Sequence, residues 1–198
     1  SLAYAYLLGH LDHPEGYLVM KQHRDGSNSI IQVRDWALLT PAAVHTFWTF
    51  LANQRSQCDV VRWQSAAIDP LSLVLPEPSA HVDHADCWLL RLINLPLALE
   101  QRGYPPHIEA ELHLSVFDDL LSPNNGNFLL IVTGGRGTVC PGGRGDLQVH
   151  IRGLASLYSS LLSPYQLRAV GLLEGTDAHL ATAASVFGGA SPWLPDFF

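Results

Sequence analysis

Along the 198 residues the hydrophobic pattern changes its rhythm several times. Residues 2–8, 16–21 and 29–36 are short apolar and aromatic runs separated by polar turns, which predicts three strands. Asp25-Gly26 supplies the tight turn between the last two. After Thr40-Pro41 the spacing becomes three and four, with Val44, Phe47, Trp48 and Leu51 in register, which predicts a helix over residues 41–54. Thr40 is its N-cap and Pro41 its first helical residue. Val60-Val61-Arg62-Trp63-Gln64 returns to a strand pattern, and Asp69-Pro70-Leu71 opens a short helix to residue 75.

Residues 76–86 are polar and proline-rich without hydrophobic period, which marks a loop at a domain boundary. Two domains follow from it, residues 1–80 and 81–198. The second begins with an expected strand at 87–92 and a helix at 96–102 closed by Gly103. Strands at 108–116 and 127–133 flank the turn Asn124-Asn125-Gly126, and a glycine-rich hairpin covers 134–145 with Cys140-Pro141 at its tip. A strand at 147–151 and helices over 153–162, 164–171 and 177–187 complete the pattern. Strands and helices mix without strict alternation, so the expected class is α+β with mixed sheets rather than a doubly wound sheet.

Hydrophobic residues make up 47% of the chain and charged ones 15%, yet no apolar run nears the roughly 18–20 residues of a spanning helix. That argues against a membrane partner. A net charge of -7 offers no basic field for phosphate backbones, which argues against nucleic acid. Cys58, Cys87 and Cys140 are far apart and odd in number, which fits a reducing, cytoplasmic setting. The opening residues lack a basic segment and a small-residue cleavage pattern, so no signal peptide is expected. Met20 is the only methionine, so either the initiator was removed before Ser1 or the chain is a truncated piece.

Ten histidines raise the question of a metal, most directly at His81-Val82-Asp83-His84-Ala85-Asp86. A polar linker offers no preorganised geometry and no distant ligand set accompanies it, so no metal is expected. His10, Asp12 and His13 read as a solvated hairpin loop. Gly134-Gly135-Arg136-Gly137 and Gly142-Gly143-Arg144-Gly145 sit between strands rather than before a helix, so they read as a mobile hairpin and not a phosphate cradle. Asp118-Asp119 reads as a solvated turn, and no G-x-S-x-G elbow is present. Among the tryptophans, Trp48 and Trp63 fall on core-facing positions. Trp88 follows the boundary loop and Trp193 lies in the aromatic tail, positions where ligand sites are often shaped.

Trp88-Leu89-Leu90-Arg91-Leu92-Ile93-Asn94-Leu95-Pro96-Leu97-Ala98-Leu99 resembles the stretch that opens the C-terminal domain of enhanced-intracellular-survival-type GNAT N-acetyltransferases. Further similarities follow in order at Gly126-Asn127-Phe128-Leu129-Leu130, Asp146-Leu147-Gln148-Val149, Leu167-Arg168-Ala169-Val170-Gly171 and Pro192-Trp193-Leu194-Pro195-Asp196-Phe197-Phe198. Upstream, Gly16-Tyr17-Leu18-Val19, Asp35-Trp36 and Phe47-Trp48-Thr49-Phe50-Leu51 resemble the family's central acetyltransferase-like domain.

The resemblance implies a partial, degenerate acetyltransferase-like domain over 1–80 and a sterol-carrier-protein-like domain over 81–198. Such enzymes bind acetyl-CoA through [QR]-x-x-G-x-[GA] in a separate N-terminal catalytic domain, and that pattern does not occur in this sequence. The implied reading is therefore a C-terminal half, inactive alone, whose partners are its own N-terminal acetyltransferase domain, an amine substrate and identical chains in an oligomer. The α-carboxylate of Phe198 matches the group that takes a proton from the substrate amine, and Trp88 and Phe197 match positions around the amine pocket. Asn94 stands where the family often has Asp. A lipid-carrier module and an oligomerisation scaffold are the competing readings, since a fold alone does not license a function.

Overall fold

The computed structural model describes residues 2–196. Its mixed α+β architecture has two sheets, each with its own core. The chain divides into two compact units, residues 2–81 together with 193–196, and residues 82–192.

The first unit holds a four-stranded sheet in the order β1-β2-β3-β4. Strands β1 (Ala3–His10), β2 (His13–Asp25) and β3 (Asn28–Leu38) form an antiparallel meander, and Gly26, with φ 60°, closes the turn predicted at Asp25-Gly26. Leu18 and Met20 alternate inward on β2, and Ile31 and Val33 do so on β3. Helix α1 (Pro41–Asn53) lays Ala43, Phe47 and Leu51 on that face. The crossover then returns as β4 (Val60–Arg62), parallel to β3. Trp48 and Trp63 are half-buried and pack edge to face, with ring centroids 5.7 Å apart, which meets the expectation that they belong to the core.

The second unit holds a five-stranded sheet in the order β7-β6-β5-β8-β9. Its strands are β5 (Ala110–Phe117), β6 (Gly126–Thr133), β7 (Arg136–Pro141), β8 (Leu147–His150) and the short β9 (Leu173–Glu174). Helices α2 (Leu95–Gln101), α3 (Ile151–Tyr158), α4 (Pro164–Ala169) and α5 (Asp177–Phe187) join Leu112, Leu114, Leu130 and Val149 in one core. Among the described residues no helix is long and apolar enough to cross a membrane.

Four expectations are corrected. Residues 87–92 form no strand: they pair with no strand of either sheet and lead without regular structure, through a bend at residues 93–94, into α2. The glycine hairpin turns at Gly134-Gly135 (φ 55° and 79°), and Cys140-Pro141 closes β7, where Cys140 is paired with Leu129. The helix expected at 153–162 starts at Ile151 and ends at Tyr158, with Gly153 inside it. Asp118 is no solvated turn residue: its carboxylate is wholly buried and accepts from Arg91, Asn124 Nδ2 and the backbone N–H groups of Leu120 and Leu121. Asp119, its neighbour, pairs with the surface Arg152 at 3.0 Å.

Candidate active-site cleft of the first unit

β3 and β4 are paired only from Ile30–Val60 to Gln32–Arg62. Just beyond, Arg34 is an extra residue opposite β2, because Val19 pairs with Asp35 and Met20 with Val33. Such a bulge bends its strand and ends pairing on its far side. The backbone of β3 past Gln32 is left without a β4 partner, and a cleft of about 290 Å³ opens there. Its lining is Val33, Arg34, Asp35, Trp36, Gln64, Trp193 and Pro195.

Side chains from three elements set its walls. The Trp36 indole N–H donates to the Gln64 carbonyl at 3.4 Å across the gap, and the Trp36 ring leans on Phe47 of α1 at 6.4 Å. Gln32 Nε2 donates to the Val33 and Arg62 carbonyls at 3.3 and 3.5 Å, bridging the point where the strands part. Asp35 accepts the Tyr17 hydroxyl on one oxygen at 3.0 Å and the Trp36 N–H on the other at 2.9 Å. The bond to the Asp35 carboxylate, helped by burial and the carboxylate's charge, pushes the Tyr17 hydroxyl above its ordinary value. Trp193 and Pro195 of the tail complete the lining.

The helix that follows this cleft does not suit a pyrophosphate. A helix N-terminus binds phosphate through its first free N–H groups and its positive dipole end. Here Pro41 has no N–H, the Ala43 N–H is taken by Thr40 Oγ1 at 3.1 Å, and the Glu15 carboxylate accepts from Thr40 Oγ1 at 2.5 Å. A carboxylate and a depleted donor set stand where an anion would have to sit. Among the described residues no group of three or more His, Cys, Asp or Glu is placed to hold a metal ion.

Of the residues expected at the site, Trp88 lies in the second unit, 43% exposed, in the segment before α2. Phe197 and Phe198 lie outside the described residues. Asn94, the departure noted in the resemblance, caps α2: its side chain accepts the Leu97 N–H at 3.1 Å, a task either Asn or Asp performs. Sequence reasoning missed Asp35, Gln64 and the bulge at Arg34. The polar pair Arg34-Asp35 interrupting an apolar strand was the available signal.

Residues 1–92 match the acetyltransferase (GNAT) domain family, and residues 95–195 match the sterol carrier protein domain family. Through residues 95–195 the chain belongs to the sterol carrier protein domain family, and a domain that matches the acetyltransferase (GNAT) family precedes it. It is 37% identical over 171 residues to an uncharacterized N-acetyltransferase of Streptomyces griseus, covering 84% of this chain and 40% of that protein. A GCN5-related N-acetyltransferase from Anabaena variabilis superposes with a TM-score of 0.94 at 51% identity, over 100% of this chain and 51% of that one. Eis1 from Mycobacterium abscessus shares the fold, with a TM-score of 0.71 at 24% identity, over 94% of this chain and 49% of that one. The chain thus spans about half the length, or less, of the relatives it matches. The cleft lies wholly within the first unit: its residues from 33 to 64 fall in the GNAT match, and its tail residues Trp193 and Pro195 fall at the end of the sterol carrier protein match.

Proposed function

We propose that this chain is the portion of an acetyl-CoA-dependent amine N-acetyltransferase that shapes the acceptor pocket and presents the terminal carboxylate of Phe198 as general base. The observation that carries this reading is the seating of the tail. Trp193 and Pro195 line the cleft where β3 and β4 part, so the chain end is held against the GNAT domain a few residues before its carboxylate. An ammonium acceptor must lose a proton before its nitrogen can attack a thioester, and a positioned carboxylate oxygen takes that proton. Trp88 and Phe197 then wall the amine, and the net charge of -7 favours a cationic acceptor.

Acetyl-CoA is bound by a catalytic domain outside these 198 residues. Two observations support that assignment: the occupied N-terminus of α1, and relatives roughly twice as long as this chain. Identical full-length chains assemble into an oligomer in the same reading.

Calorimetric titration of acetyl-CoA into the 198-residue chain, beside the full gene product, tests the proposal. Binding by the long protein and none by this chain is the expected result; tight binding by this chain overturns the division of roles. In the long protein, removing Phe198 is expected to lower kcat for amine acetylation about 100-fold or more with acetyl-CoA affinity kept, as loss of a general base predicts.

A further inference from the structure

The glycine-rich segment Gly142-Gly143-Arg144-Gly145-Asp146 lies over the face of the second sheet that is turned away from Leu112, Leu114 and Val116. Gly142, Gly143 and Gly145 have φ of 97°, 109° and 71°, so the segment takes a path that other residues would resist. A Cβ on Gly143 would stand 3.0 Å from His113 Nδ1, which shows how closely the segment lies on the strand. Three hydrogen bonds hold it down. The Gly142 N–H donates to the Asn127 carbonyl at 2.8 Å, Asn127 Nδ2 donates to the Gly143 carbonyl at 3.2 Å, and the Arg144 N–H donates to His113 Nδ1 at 3.1 Å.

The last bond dictates the state of the imidazole. A nitrogen that accepts from a backbone N–H carries no proton, so neutral His113 holds its hydrogen on Nε2. The side chain is only 10% exposed, and its Nε2 has no hydrogen-bond partner among the described residues. Glu111 Oε2, on the same strand, stands 4.0 Å from it. Two neighbouring elements, the 142–146 segment and α5, carry charged or titratable groups. Asp146 of the segment is held by Arg144 at 2.7 Å, and His179 of α5 stands 3.8 Å from Asp146. β6 presents the uncharged Leu129 beside His113, and β7 presents Cys140 beyond Leu129. The bond from Arg144, working against burial, holds the Asp146 carboxyl below its ordinary range, so the segment carries a carboxylate.

We propose that His113 is a proton-operated latch for the 142–146 segment: the neutral imidazole holds the segment on the sheet, and the imidazolium releases it. Uptake of a proton from solvent at Nδ1 places an N–H against the Arg144 N–H, and two donors at that separation repel. Glu111 and Asp146 attract the cation, while Arg144 and His179 oppose it. The two bonds to Asn127 remain, so release starts at Arg144 and uses the glycines on either side as its hinge. Opening uncovers Ser115, which the Gly145 backbone otherwise covers.

Amide hydrogen exchange at Arg144 in the 198-residue chain tests this, corrected for the intrinsic pH dependence of exchange. Protection is expected to be about tenfold lower at pH 5 than at pH 8, the loss of roughly one hydrogen bond. Equal protection at the two pH values overturns the latch. Imidazole ¹⁵N shifts at pH 8 are expected to report the Nε2–H tautomer for His113, and the Nδ1–H tautomer would overturn it. His113→Asn places an oxygen near the Nδ1 position and cannot take up a proton, so protection should persist at both pH values. His113→Phe removes the acceptor and should lose protection at both; if that variant does not fold, the Asn variant and the wild-type tautomer decide. His179→Asn should keep the pH dependence, and its loss there together with persistence in His113→Asn sinks the proposal.

Discussion

Two adjacent aspartates show how far residue identity reaches. Asp118 and Asp119 are indistinguishable in the sequence, yet one lies buried in a ring of donors and the other meets a surface arginine. Burial pushes the Asp118 carboxyl up, but bonds from Asn124, the Leu120 and Leu121 N–H groups and Arg91 outweigh it and hold it well below the carboxylate range. A group whose folded value is depressed stabilises the fold above its unfolded value, near 4, and that contribution is lost as pH falls toward the folded one. The urea midpoint of the second unit should therefore drop between pH 5 and pH 2. Asp118→Asn should lower the midpoint at pH 6 and flatten that dependence; an unchanged pH profile would contradict the ring's role. The partners that decide this, Arg91 and Asn124, stand 27 and 6 residues away, so the difference was not legible locally.

At the scale of elements, caps and periods were legible because they act within a few residues. Thr40-Pro41, Ser163-Pro164 and Thr176-Asp177 each open the helix expected there, their hydroxyls accepting from N–H groups three residues on. Gly153 misled, since a glycine ordinarily marks the edge of a helix. It sits inside α3 because the Leu172 carbonyl approaches so closely that a Cβ would stand 2.8 Å from its oxygen. Alanine in an open helix site would stabilise by about 0.5–1 kcal/mol. Here Gly153→Ala is expected to destabilise by about 1–3 kcal/mol in chemical unfolding, because backbone has to move. The segment at 87–92 misled for the opposite reason. Its apolar residues suit a strand, but a strand needs a partner, and the Leu92 carbonyl instead accepts from Asn124 Nδ2 at 3.2 Å.

For the whole molecule, the tail matters most, because its last described residues belong to the first unit although they follow the second in sequence. Trp193 is 48% exposed, so its burial stabilises the first unit modestly, by about 1–2 kcal/mol. Trp193→Ala should raise amide exchange on β2 and β3 several-fold and leave β5 and β6 unchanged; an equal rise in both units would mean that the tail holds the molecule together in another way. What the sequence determined by itself was local: two sets of mixed elements, their caps and turns, the α+β class and the order of family-like segments. These follow from the backbone preferences and hydrophobic periods of neighbouring residues. Tertiary structure alone decided that β3 and β4 part beyond Gln32, that the tail lines the gap, that Asp118 is buried, and that His113 lies under the glycine segment. Each is a meeting of residues distant in sequence, and its energy depends on neighbours that only the folded chain supplies.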